Sequence, residues 1–145
     1  MRTLFFLLAS TLVLARPAAA QHLKPIQVPA AVVAGFQRHF AGVGPVTWEK
    51  EGAGYEAGFT RDGVATSALL SPAGALLETE TTIPPAQLPA PVQAQLARHY
   101  QGYRVTEAAK IVTAGTGALV YEAEVRQAGR TRDVLFRADG TEVRK

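Results

Sequence analysis

From Val28 onward the chain repeats itself, and this limits it to folds built from one supersecondary unit used two times. Val28-Pro29-Ala30-Ala31-Val32 returns as Leu88-Pro89-Ala90-Pro91-Val92, and Arg38-His39-Phe40 returns as Arg98-His99-Tyr100. Gly42 matches Gly102, and Tyr55-Glu56-Ala57 matches Tyr121-Glu122-Ala123. Gly63 then pairs with Gly129, Leu69 with Leu135 and Gly74 with Gly140. The offset is sixty residues up to Lys50 and Lys110 and sixty-six from Tyr55 and Tyr121 on, so the second copy carries a short insertion.

Each copy opens with a helical period. Val32, Phe36 and Phe40 recur at spacing four, as do Val92, Leu96 and Tyr100, which gives each helix one apolar stripe. Pro29 and Pro89 suit a first helical turn, where a missing N–H costs nothing. Gly42 and Gly102 are expected to stop the helices as left-handed caps, with the Arg-His pair before them favouring the C-terminal carbonyls.

The period then changes to two. Val46 and Trp48 alternate with Thr47 and Glu49, and Tyr55, Ala57 and Phe59 with Glu56 and Gly58. Further strands are expected over 64–70 and 76–82, with turns at Arg61-Asp62-Gly63 and Ser71-Pro72-Ala73-Gly74. The second copy predicts strands over 105–112, 119–126, 131–137 and 141–145. The insertion falls at Ala114-Gly115-Thr116-Gly117 and should lengthen that hairpin. Ile83-Pro84-Pro85-Ala86-Gln87 reads as an extended linker. The expected fold is α+β: two tandem helix-plus-four-strand antiparallel meander repeats (21–85 and 86–145) forming one compact unit. Joined edge to edge, they would make one sheet with both helices on one face and fewer exposed edges.

Residues 1–20 read as a secretory signal. Arg2 precedes an apolar run, Leu4 to Ala15, that is too short to span a bilayer, and Ala18-Ala19-Ala20 offers a small-residue cleavage site. Export to the periplasm or outside the cell is therefore expected, with Gln21 as the mature start and no membrane insertion afterwards. The chain has no cysteine, which excludes disulfides, thiolate zinc sites and cysteine nucleophiles. Of its fifteen basic residues, Arg2 and Arg16 leave with the signal, so thirteen face twelve acidic ones. Nothing in that balance attracts nucleic acid. Basic residues crowd the end of the second copy, from Arg126 through Arg130, Arg132 and Arg137 to Lys145.

Proline-started helices (Val28-Pro29, Leu88-Pro89), helix ends of the form His39-Phe40-Ala41-Gly42 and His99-Tyr100-Gln101-Gly102, Tyr-Glu-Ala strands, and the turn glycines Gly74 and Gly140 follow in the same order twice. This order resembles the PepSY-like, beta-lactamase-inhibitor-like (BLIP-like) family, from about Ile26 to Lys145. Where that family has a proline after the helix-end aromatic, this chain has Ala41 and Gln101. The resemblance implies a helix-on-sheet tandem fold, export, no cofactor and a binding role. It brings no catalytic residues.

No motif names a reaction. There is no GxSxG, HExxH or phosphate-cradling glycine loop. His39 and His99 could share a metal, but their place in the last helical turns argues for capping, and no metal site is expected. Glu56 and Glu122 are matched, yet alternation puts them opposite the aromatic face, in solvent. The candidate binding residues are Trp48, Glu56, Tyr103, Glu122, Glu124, Arg126 and Arg132. Aromatics on a sheet rim anchor interfaces, and the arginines would favour an acidic partner. The expected function is a non-enzymatic, exported binding protein that acts on another exported protein or peptide through the helix-free sheet face. The alternative is a small-ligand or metal-binding periplasmic protein, with a pocket between the two units near the insertion.

Overall fold

A computed structural model describes residues 21–143. The secretory segment expected at 1–20 and the basic pair Arg144 and Lys145 lie outside the described residues.

The order of elements is β1 (Gln21–Leu23), α1 (Ala30–His39), β2 (Thr47–Glu51), β3 (Gly54–Arg61), β4 (Val64–Leu70) and β5 (Leu76–Ile83). Then follow α2 (Ala90–His99), β6 (Arg104–Thr113), β7 (Leu119–Gln127), β8 (Arg130–Phe136) and β9 (Glu142–Val143). The strands form a single antiparallel sheet of nine in chain order. β5 and β6 pair from Glu78 opposite Thr113 to Ile83 opposite Ala108, so the sheet runs unbroken through the middle of the chain.

Several local expectations change. Pro29 and Pro89 occupy the N-cap, not the first helical turn, with φ near −55°. The segment expected to cross as an extended linker instead closes a 3-10 turn, Pro85–Gln87, matched by another at Pro25–Gln27. β1, too short for a period to register, pairs with β2 and covers its edge. The last strand holds Glu142–Val143 within the described residues, rather than starting at Thr141. Gly42 and Gly102 do take left-handed backbone (φ +77° and +80°), three residues past the last residue of each helix.

Register fixes the two faces. Ala57, Ala68, Thr79 and Val112 lie in one cross-strand row and point to the helices. α1 lays Val32, Phe36 and Phe40 on Trp48, Ala57, Phe59, Ala68 and Leu70. α2 lays Val92, Leu96 and Tyr100 on Ala108, Ala123, Val125, Val134 and Phe136. Both helices therefore cover the same face, and each buried large apolar side chain contributes about 1.5–3 kcal/mol.

α1 also sits unusually close to the turn after β4. A Cβ on Gly35 would stand 2.0 Å from the carbonyl oxygen of Gly74, and one on Gly74 would stand 2.0 Å from that of Ala31. Glycine is required on both sides of this backbone contact. Arg38, expected to cap its own helix, instead donates from Nη2 to the Gly74 carbonyl at 3.3 Å.

Candidate binding face

The uncovered face of the sheet gathers carboxylates. Strand alternation sends Glu56 of β3, Glu78 and Glu80 of β5, and Glu122 of β7 to that side. With Glu51 they border a trough of about 420 Å³ across the junction of the two halves. Its floor is apolar, formed by Leu69, Ile111, Val120 and Leu135. Ile111 and Ala109 keep only 8% and 5% exposure although they lie on the face away from the helices. A smaller adjoining recess of about 220 Å³ adds Glu107, Glu124 and Asp133.

The arrangement works against stability. Glu107, Glu124 and Asp133 stand opposite one another on three successive strands, and Glu49 stands opposite Glu56. Directly opposed like charges cost roughly 0.2–1 kcal/mol per pair. Two hydroxyls offset part of this: Ser67 donates to Glu56 at 2.7 Å, and Thr106 donates to the Glu124 carboxylate. Eight of the twelve acidic residues border the trough and its recess, and no lysine or arginine lines either. Arg126 shares this face but stands opposite Arg104, past Glu124 toward the sheet's end.

The sequence candidates divide accordingly. Glu56, Glu122 and Glu124 come together in this acidic region, with Arg126 at its edge. Trp48 does not belong to a binding surface: it is 6% exposed, edge-on to Phe36 with centroids 5.5 Å apart, and forms part of the core. Its shared side with Val46 was the available signal. Arg132 is also displaced. It pairs with Val125 on the helix side of the sheet, and its guanidinium lies 5.1 Å from the Tyr100 ring centroid. An acidic partner for the helix-free face therefore loses its basis, because β8 turns Arg130 and Arg132 the other way and presents Asp133 there. Tyr103 is exposed, at the rim of a separate recess beside α2. The insertion lengthens the β6–β7 hairpin, where the N–H of Gly117 donates to the Thr113 carbonyl, but it borders neither the trough, its acidic recess nor the recess beside α2.

His39 and His99 end α1 and α2 as exposed residues. Among the described residues no three His, Asp or Glu side chains converge as a metal would need. Also among them, no helix is long and apolar enough to cross a membrane. Tyr100 and Asp139 depart from ordinary acidity. Burial and the hydrogen bond to Glu142 at 3.0 Å raise the pKa of the Tyr100 phenol. The N–H of Thr141, donating at 2.8 Å, lowers that of the Asp139 carboxyl.

No protein-family model matches the chain, and no curated protein does. Solved structures do. A DUF2874 family protein from Bacteroides uniformis ATCC 8492 superposes with a TM-score of 0.69 at 21% identity, over 80% of this chain and 86% of that one. A protein from Bacteroides eggerthii DSM 20697, named for a suspected place in the periplasm, gives 0.70 at 17% identity, over 81% and 86%. A BLIP-like protein from Bacteroides fragilis NCTC 9343 gives 0.62 at 19% identity, over 80% and 83%. The fold is BLIP-like. At these identities the likeness extends to architecture alone, and architecture does not carry function.

Proposed function

We propose that this chain is an exported, non-enzymatic binding protein whose helix-free sheet face takes an extended, cationic segment of another protein. The observation that carries the reading is the acidic region: carboxylates from several strands border the trough's apolar floor, and in the adjoining recess Glu107, Glu124 and Asp133 oppose one another at a cost in stability. A segment alternating lysine or arginine with apolar residues relieves the repulsion and covers the floor. Complementary charge steers encounter and excludes acidic partners. Export is supported by the secretory pattern of residues 1–20 and by the periplasmic name of one structural relative. Duplication of an ancestral PepSY-like helix–meander unit is the origin we infer from the matched positions.

Fluorescence anisotropy with a labelled Lys/Val-alternating peptide tests this reading against its Glu/Val counterpart. The cationic peptide should bind with an affinity that falls steeply with salt. Glu122→Lys combined with Glu124→Lys should weaken it at least about tenfold, or about 1.4 kcal/mol. Equal binding of both peptides, or indifference to the double reversal, would sink the proposal.

A further inference from the structure

The two outermost strands match the two ends of one interior strand. At the sixty-residue offset Gln21 to Leu23 match Thr81 to Ile83, the end of β5. Pairing agrees: Leu23 stands opposite Trp48, and Ile83 opposite the matched Ala108. At the sixty-six-residue offset Glu142 and Val143 match Leu76 and Leu77, the start of β5. Glu142 stands opposite Phe136 as Leu76 stands opposite the matched Leu70. β5 joins the halves by pairing with β4 on one side and β6 on the other. β9 and β1 make one such pairing each, with β8 and with β2.

The sheet is left open at both ends. In the first half Thr66, Ser67 and Ala68 of β4 stand opposite Thr81, Glu80 and Thr79. The matched Arg132, Asp133 and Val134 of β8 have no strand beyond them among the described residues, because β9 meets Leu135 and Phe136 alone. Arg137 donates its N–H to Thr141 on the side away from β7, so alternation turns the N–H and C=O of Asp133 and Thr131 outward too. At the other end, the two-residue turn between Glu51 and Gly54 makes that pair exchange both bonds. β2 therefore turns Trp48 and Lys50 toward β1, and β1 turns the backbone of His22 outward.

We propose that copies of this chain join head to tail, β1 of one copy pairing antiparallel with the β8 edge of the next. The precedent is the β4–β5 pairing inside the chain. Its register sets Gln21 opposite Arg132 and His22 opposite Thr131, where the outward backbone groups of both residues satisfy each other. Charge favours this order. Residues 21–85 carry four basic and six acidic groups, and residues 86–145 nine basic and six acidic, so an acidic half meets a basic one. Two β8 edges pairing over the same stretch would set Arg130 or Arg132 against arginine, or Asp133 against aspartate. The contact is heterologous and leaves one edge of each kind free, so it continues beyond two copies.

Sedimentation velocity of the exported chain, from Gln21 on, tests this over concentrations up to about 1 mM, where weak contacts register. Reversible growth in mass beyond a dimer, weakened by salt, is expected. Thr131→Pro and His22→Pro each remove an outward N–H, at edge positions where proline is tolerated. Each should raise the dissociation constant at least about tenfold. The Thr131→Pro copy still offers β1 and the His22→Pro copy still offers β8, so mixing the two should give a 1:1 dimer that grows no further. Should Thr131→Pro not fold, Arg130→Glu with Arg132→Glu reverses the charge of the same edge and should weaken association in the same direction. Four results would overturn the proposal: a monomer at every concentration, growth that stops at a dimer in the unaltered chain, edge variants that associate as the unaltered chain does, or a mixture that forms no dimer.

Discussion

The two halves bury matched stripes under matched helices, yet one core is aromatic and interlocked while the other is mixed and open at one end. In the first, Phe36, Phe40, Trp48 and Phe59 meet with centroids between 4.9 and 5.5 Å. In the second, Tyr100 is the principal ring, 6.4 Å from Phe136, and its hydroxyl leaves the core to donate to Glu142. The difference teaches that a helix and a meander set where a core sits but not how it is filled. The same stripe is satisfied by bulk on β2 and β3 in one half and on β8 in the other.

The comparison should break first at Trp48. Trp48→Ala removes the central ring of the aromatic set and should cost about 3–5 kcal/mol in urea denaturation. Alanine already stands at the matched position 108, so a loss below about 1 kcal/mol would mean that the two cores are interchangeable after all.

The helix contacts break next. Gly35→Ala drives a Cβ against the Gly74 carbonyl and should destabilise by about 1–3 kcal/mol, since backbone must move on one side. The matched residue in α2 is Gln95, and Gln95→Ala should change stability by less than about 0.5 kcal/mol. Equal effects would show that the close approach of α1 to its turn carries no weight.

The hairpin tips differ by one side chain. Asp62 and Ala128 both sit at positive φ (+51° and +49°) before a glycine. Aspartate tolerates that region better than alanine. Ala128→Gly should therefore raise stability by about 0.5–1 kcal/mol, read as a higher urea midpoint. Asp62→Ala should lower it.

The smallest effect at neutral pH concerns the phenol. The folded pKa of Tyr100 is raised, so its contribution is fully present below the unfolded value near 10 and is lost as pH rises through the folded one. Ionisation would put a phenolate against the Glu142 carboxylate. Tyr100→Phe, which restores the residue type of Phe40, should lose less of its melting temperature between pH 9 and about 11.5 than the unaltered chain. Parallel losses in both proteins would remove Tyr100 as the cause.

Much of this fold was legible in the residues. Spacing four marks Val32, Phe36 and Phe40, and spacing two marks Tyr55, Ala57 and Phe59. Gly63 and Gly129 mark hairpins because their φ, +78° and +76°, favours a residue without Cβ. These are signals between near neighbours, and a periodicity carries them in full. β1 escaped because three residues hold no period, and Arg132 was set on the wrong side because its strand is mostly polar and reads alike from either face.

The sequence by itself determined the kind and order of both helices and of the strands from β2 to β9, and the alternation that sends Glu56 and Glu122 away from the aromatics, since each follows from backbone geometry within a few residues. The tertiary structure alone decided which distant side chains became neighbours. Pairing of β5 with β6 brings Glu78 and Glu80 beside Ile111 and Glu122, and the register of β8 adds Asp133 to Glu124. The burial of Trp48 was settled the same way. A packed core belongs to the helix and strands that surround it together, and no one of those segments records its filling in its own residues.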